Sequence, residues 1–172
     1  MAISLLHRLA PVSWYAARLE RALEALVRAQ PEIDVVCHSM GGIVLRMVLQ
    51  RRPDLAEHVH TVVTLGSPHH GTAAARGMLL LPEPVALARG SWLLGDLPHL
   101  PALLPGRRVV GVAGEDDAIV YPVATTDEPG AEHVVLPHRG HMSLLVDPAV
   151  HEVVLRALSE PVGAAEGADV VA

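Results

Sequence analysis

The stretch Val35-Val36-Cys37-His38-Ser39-Met40-Gly41-Gly42 constrains this chain more than any other. Apolar Ile33, Val35 and Val36 lead into it and predict a short buried strand. Ile43-Val44-Leu45-Arg46-Met47-Val48-Leu49-Gln50 follows it and predicts a helix. Between them, Cys37-x-Ser39-x-Gly41 is a variant of the G-x-S-x-G nucleophile elbow. At such an elbow the chain turns sharply from strand to helix around a strained serine, so the residues two positions to either side must be small. Gly41 meets that demand fully. Cys37 keeps a Cβ and a sulfur and meets it less well. A serine held in this way stands clear of the sheet at the helix N-terminus, where free N–H groups and the helix dipole favour developing negative charge. The plainer alternative is a glycine-softened turn that leaves a serine exposed.

Composition narrows the classes. A chain of 172 residues is long enough for one domain with a sizeable core. Hydrophobic residues make up 51% but aromatics only 2%, with no Phe, so the core has to be built from Leu, Val and Ala. The net charge of −6 leaves no basic footprint for nucleic acid. A single Cys excludes an internal disulfide framework. No apolar run reaches the ~18 residues of a membrane span, and the segment from Met1 to Arg8 lacks the apolar region of a signal peptide. As written, the chain is expected to be soluble, cytoplasmic and free of cofactors. Its oligomeric state is left open.

Along the chain, 13–30 has a helical pattern, with Leu19, Leu23, Leu26 and Val27 on one stripe, Ser13 as a candidate cap and Pro31 as the stop. His60–Leu65 predicts a second buried strand, running into the turn-rich Gly66-Ser67-Pro68-His69-His70-Gly71-Thr72. Strand, helix and strand at this spacing form a βαβ unit, so the sheet is parallel. Residues 73–106 show no clear period; they are read either as a lid or insert over a site or as ordinary helical packing. Arg108–Ala113 and His133–Leu136 predict two further strands. A last helix covers about 148–159, with Val150, Val153, Val154 and Leu158 on one face, and 160–172 reads as a flexible Gly/Ala-rich tail. The fold class is therefore α/β, a parallel sheet of about four strands flanked by helices. It forms one domain over 1–172 with its structured core at 13–159.

Ser39, Asp117 (or Asp116) and His141 each follow a predicted strand, where open parallel sheets place their sites. A serine hydroxyl is a poor nucleophile at neutral pH and needs an imidazole to take its proton and an acid to orient that imidazole. The Met40 N–H, just after the serine, would serve as an oxyanion donor. His69 and His70 with His138 raise the thought of a metal site, but no H-E-x-x-H or comparable spacing supports one, and no metal is expected. Ser67 is read as shaping a turn, and Cys37 as a small packing residue.

Four segments together resemble the α/β-hydrolase superfamily, in particular bacterial lipases and esterases. They are His38-Ser39-Met40-Gly41-Gly42, Leu65-Gly66-Ser67-Pro68-His69-His70-Gly71-Thr72, Gly114-x-x-Asp117-x-Ile119-Val120, and Gly140-His141-Met142-Ser143-Leu144-Leu145. The resemblance implies a Ser39–Asp117–His141 triad in the superfamily's chain order, with the glycine three residues earlier favouring Asp117 over Asp116. It also implies hydrolysis of small ester or lipid substrates through an acyl-serine intermediate. An acyltransferase with the same triad, and a non-catalytic remnant or binding module, are the alternatives. The family places further strands before the elbow, one of them followed by a His-Gly loop that supplies a second oxyanion donor, and nothing before Ser13 resembles it. A gene start placed too far downstream, a natural truncation, or an edge completed by a partner would each account for that. The expectation is that in-frame sequence upstream of Met1 encodes an apolar strand followed by His-Gly. The Ile33–Cys37 strand is expected to lie at a sheet edge.

Overall fold

The structure is a computed structural model that describes residues 10–77 and 84–160. Pro11 opens the first helix, α1 (Val12–Ala29), from an extended conformation with φ −66° and ψ 155°. It has no hydroxyl or carboxylate to cap with, and Ser13 lies inside the first turn, so the expected serine cap is replaced by a proline entry. The missing proline N–H is no loss there, because the first N–H groups of a helix have no intrahelical acceptor. The buried face of α1 runs through Val12, Tyr15, Ala16, Leu19 and Leu23. Leu26 and Val27 are only half-buried, so the stripe is displaced by about a turn toward the N-terminus.

Next come β1 (Ile33–His38), α2 (Met40–Arg51), α3 (Pro53–Ala56) and β2 (Val59–Leu65). After a 3-10 turn at Ala73–Gly77 and another at Pro84–Leu87 follow α4 (Trp92–Asp96), α5 (Leu100–Leu103), β3 (Arg108–Gly114), β4 (Glu132–Leu136) and α6 (Pro148–Ser159). α6 begins as its sequence dictates: the Asp147 carboxylate accepts from Ala149 N at 2.8 Å, and Pro148 occupies the first turn.

The four strands form one parallel sheet in the order β1-β2-β3-β4. Every residue of β3 is buried, as expected for a parallel strand covered on both faces. β1 alternates instead: Ile33 and Cys37 are buried, whereas Asp34 and Val36 are exposed. Among the described residues β1 pairs only with β2 and forms an edge of the sheet. One sheet face packs on α1 and α2, with Leu87, Leu94, Leu97, Leu100 and Leu104 joining the same core. The described part of 73–106 thus packs against α2. Its Met78–Leu81 run lies outside the described residues, as does 161–172. The other face packs Val63, Leu65, Val110 and Val112 under Val150 and Ala157 of α6.

A buried ionic cluster crosses the first core. The Arg46 side chain, on α2, is fully buried. Its guanidinium donates to the carbonyls of Pro98 (2.9 Å), His69 (3.0 Å) and Leu97 (2.5 Å), and lies 3.7 Å from the buried Glu128 carboxylate. Glu128 also accepts from Leu100 N at 3.2 Å and contacts His69 and His99 at 3.1 and 3.3 Å. The Arg46 guanidinium and the Glu128 carboxylate are thereby answered, which is the condition for a charge to survive in a core, whereas His69 Nδ1 has its 3.1 Å approach to Glu128 but no aligned hydrogen bond. Among the described residues no helix is long and apolar enough to cross a membrane.

Candidate active site

β1 ends at His38, and Ser39 takes φ +55° and ψ −128°, a region that a residue with a Cβ occupies only under strain. Its N–H still donates to Leu65 O at 2.8 Å, and α2 begins at the next residue. Ser39 therefore sits at the apex of a strand-to-helix reversal, and Met40 is the first residue of the helix.

The small residues around the apex are not equally constrained. A Cβ at Gly41 would lie 3.5 Å from Cys37 Cβ, an ordinary contact. At Gly42 it would come within 2.6 Å of Ser67 Oγ and 2.9 Å of Ser67 Cβ. The close approach is thus between Gly42 and the loop after β2. Cys37 is buried, and loss of water pushes its thiol up to about 12, so at neutral pH it is an uncharged packing group.

That loop begins with Gly66 in the left-handed region, φ +54°, its N–H bonded to Val112 O at 2.8 Å. Ser67 is buried and makes no hydrogen bond through Oγ among the described residues. His69 is buried too, with Nε2 3.3 Å from Thr64 Oγ1 and Nδ1 against Glu128. Burial lowers its pKa, outweighing the carboxylate that would raise it. His138, by contrast, is exposed beside Asp116, 3.8 Å away. Among the described residues no group of three or more His, Cys, Asp or Glu side chains is disposed to hold a metal ion.

After β3 the chain turns at Gly114, where a Cβ would strike Arg139 O at 2.2 Å; the loops after β3 and β4 are pressed together. Asp116 N bonds Arg139 O at 3.0 Å, and the Asp116 side chain is exposed. The Asp117 side chain turns inward. Its Oδ1 accepts from the N–H groups of Ile119 and Val120, both at 2.8 Å, and its Oδ2 lies 2.7 Å from His141 Nδ1. Burial alone would raise the Asp117 carboxyl. The hydrogen bonds from His141 and the two backbone N–H groups outweigh it and hold the pKa below the ordinary range. An ionised carboxylate only accepts, so His141 Nδ1 carries the proton and, in the neutral ring, Nε2 is left as the basic nitrogen.

His141 is also tied to the serine strand. His38 Nε2 lies 3.1 Å from the His141 carbonyl oxygen, and the two rings pack with centroids 4.5 Å apart. Residues from the ends of β1, β2, β3 and β4 thus meet at one end of the sheet. The sequence singles out Ser39, Asp117 and His141 as candidates; of these the structure pairs Asp117 with His141 and sets Ser39 at the strand-to-helix turn, while the contacts of His38, Gly42, Arg46 and Glu128 were not anticipated. The signal for Arg46 was available: a lone charge inside the apolar run 43–49 has to find a buried partner. A pocket of about 570 Å³ opens between the 69–70 turn and α4–α5, lined by residues including His70, Leu94, Leu97 and His99. Ser39, Asp117 and His141 are not in its lining.

The family profile of a PGAP1-like alpha/beta domain matches residues 12–80. No curated protein sequence matches the chain. Among solved structures, the Bacillus licheniformis lipase BlEst2 in mature form superposes with a TM-score of 0.68 at 17% identity, covering 83% of this chain and 72% of that one. A thermophilic esterase from Thermogutta terrifontis gives 0.54 at 18% identity, covering 86% and 71%. A 2-hydroxy-6-oxo-6-phenylhexa-2,4-dienoate hydrolase from Rhodococcus sp. strain RHA1 gives 0.59 at 16% identity, covering 87% and 72%. At these identities the likeness is one of fold.

Proposed function

For this chain, which has a partial α/β-hydrolase fold, we propose a serine-dependent carboxylic ester hydrolase acting through an acyl-serine intermediate. The observation that carries the reading is the buried Asp117–His141 pair, packed through His38 against the strand that presents Ser39 in a strained turn. Fold likeness does not specify chemistry; the side chains at the site do.

In the proposed reaction, Ser39 Oγ attacks the ester carbonyl while His141 Nε2 takes its proton. Asp117 holds the ring in the tautomer with Nδ1–H and stabilises the imidazolium that forms. The oxyanion develops beside the Met40 N–H at the start of α2, where the helix dipole also favours it. His141 then gives its proton to the leaving alcohol. Water, activated by the same nitrogen, attacks the acyl-serine and regenerates Ser39.

The test is labelling of the purified chain with a fluorophosphonate probe, mapped by mass spectrometry. The expected result is modification at Ser39, absent in Ser39→Ala and much reduced in His141→Ala. A folded chain that takes up no label would overturn the reading and favour a non-catalytic binding module. Competition between water and added alcohol as acceptor separates a hydrolase from an acyltransferase.

A further inference from the structure

Two anchors hold His141. Asp117 fixes the ring through Nδ1 at 2.7 Å. The second acts on the backbone: His38 Nε2 reaches the His141 carbonyl at 3.1 Å. A carbonyl only accepts, so His38 has to donate, and its neutral ring carries the proton on Nε2. The rings then pack at 4.5 Å with a 44° tilt. His38 is the last residue of β1 and immediately precedes Ser39, so this hydrogen bond ties the serine strand to the loop of the base.

We propose that His38 is a positioning residue, setting the distance and orientation between His141 and Ser39 by tethering the His141 backbone to the end of β1. The inference rests on the serine-hydrolase reading and adds a part that the triad alone does not contain. A ring fixed only by its carboxylate can still rock about that one bond. Fixing the backbone as well leaves Nε2 a narrow range of directions, which is the kind of restraint a near-attack geometry requires. His38 also suits the moment when His141 becomes charged. Burial lowers the His38 pKa, against the opposing pull of its hydrogen bond to the His141 carbonyl, so the ring that faces the imidazolium is neutral at pH 7.

The experiment compares His38→Gln with His38→Asn in the full chain. Both are polar amides. Gln carries its amide nitrogen about where Nε2 stands, and Asn is too short to reach the carbonyl. Gln also fills more volume than Asn, so His38→Met, of similar length but with no donor, is the control for bulk and is expected to behave like His38→Asn. Two readouts are taken: the deshielded proton resonance of the His141 Nδ1–H bonded to Asp117, and the rate of fluorophosphonate labelling at Ser39. The tether predicts that His38→Gln keeps the resonance sharp and labels within about threefold of the parent, whereas His38→Asn broadens the resonance and labels about tenfold more slowly, the loss of one hydrogen bond. A His38→Asn chain with the parent's resonance and rate would overturn the inference. If no version of the chain labels but the resonance still separates Gln from Asn, the tether stands and the ester-hydrolase reading falls.

Discussion

Gly66 lies directly behind the imidazole of His141: a Cβ on it would stand 3.2 Å from His141 Nδ1. The same carbon would be 3.2 Å from Asp117 Oδ2 and 2.9 Å from Leu144 Cδ1, on a residue whose φ is +54°. Gly66→Ala therefore combines backbone strain of about 1–2 kcal/mol with displacement of the Asp117–His141 pair, the proposed acid and base. The expected outcome is a lower melting temperature and a loss of Ser39 labelling of about tenfold or more, since a small misplacement of a base has large effects on rate. An alanine variant that labels like the parent would show that the pair tolerates the shift.

The two glycines after Ser39 should behave differently. Gly41→Ala places its methyl at an ordinary contact distance from Cys37 and sits within a helix that alanine favours, so it should be close to neutral. Gly42→Ala drives a methyl into Ser67 and should destabilise by about 1–3 kcal/mol, as overpacking does. Adding Ser67→Gly should recover most of that. Urea melts of the two single variants and the double variant decide it.

How much of this was legible beforehand divides along physical lines. The strand cores, α2 and the 148–159 helix followed from short apolar runs, periodicity and turn residues, all local signals. The proline entry to α1 was masked by Ser13, a good cap residue one position inside the helix. α4 and α5, at five and four residues, are too short for a period to emerge. The Arg46–Glu128–His69 cluster joins residues far apart in sequence, and the tether from His38 spans 103 positions. Such pairings are set by tertiary packing and leave no trace in spacing.

Asp117 and Asp116 are adjacent but differently placed, and the substitutions should separate them. Asp117→Asn can present an amide N–H to His141 Nδ1, favouring the wrong tautomer, and should slow Ser39 labelling by about 10²–10⁴. Asp116→Asn, on an exposed side chain, should leave it unchanged. Labelling rates of the parent and the two variants, measured side by side at one pH, make the comparison.

Removing both charges of the buried cluster should cost less than the two single removals added together. Arg46→Ala leaves Glu128 buried without its cation and should destabilise by about 3–5 kcal/mol. Arg46→Met with Glu128→Gln removes both charges and keeps volume, and should be less destabilising than the sum of the single changes. Chemical denaturation of the parent, Arg46→Met, Glu128→Gln and the double variant gives the coupling directly.

Acid should weaken the fold in two stages. His69 and His38 have pKa values held below 6.5 by burial, so the unfolded chain takes up their protons first; the associated stability is present above about pH 6.5 and is lost as pH falls through their folded values. Asp117 and Glu128 are depressed below 3.8 and 4.5, so their contribution is present above those values and is lost only at lower pH. Melting temperatures from pH 8 to 3 should fall in both windows, and His69→Asn should flatten the upper one.

The sheet's order has a kinetic consequence. Within the first half, Val36 meets Val63; within the second, Val110 meets Glu132; Thr61 meets Arg108 across the longest excursion of the chain. Closing that loop carries the largest entropic penalty and should come last. Ser39 belongs to the half before the gap, Asp117 and His141 to the half after it. A refolding chain should therefore recover its helical signal before the proposed nucleophile Ser39 becomes reactive, and labelling by a fluorophosphonate during refolding would time the moment at which the two halves dock.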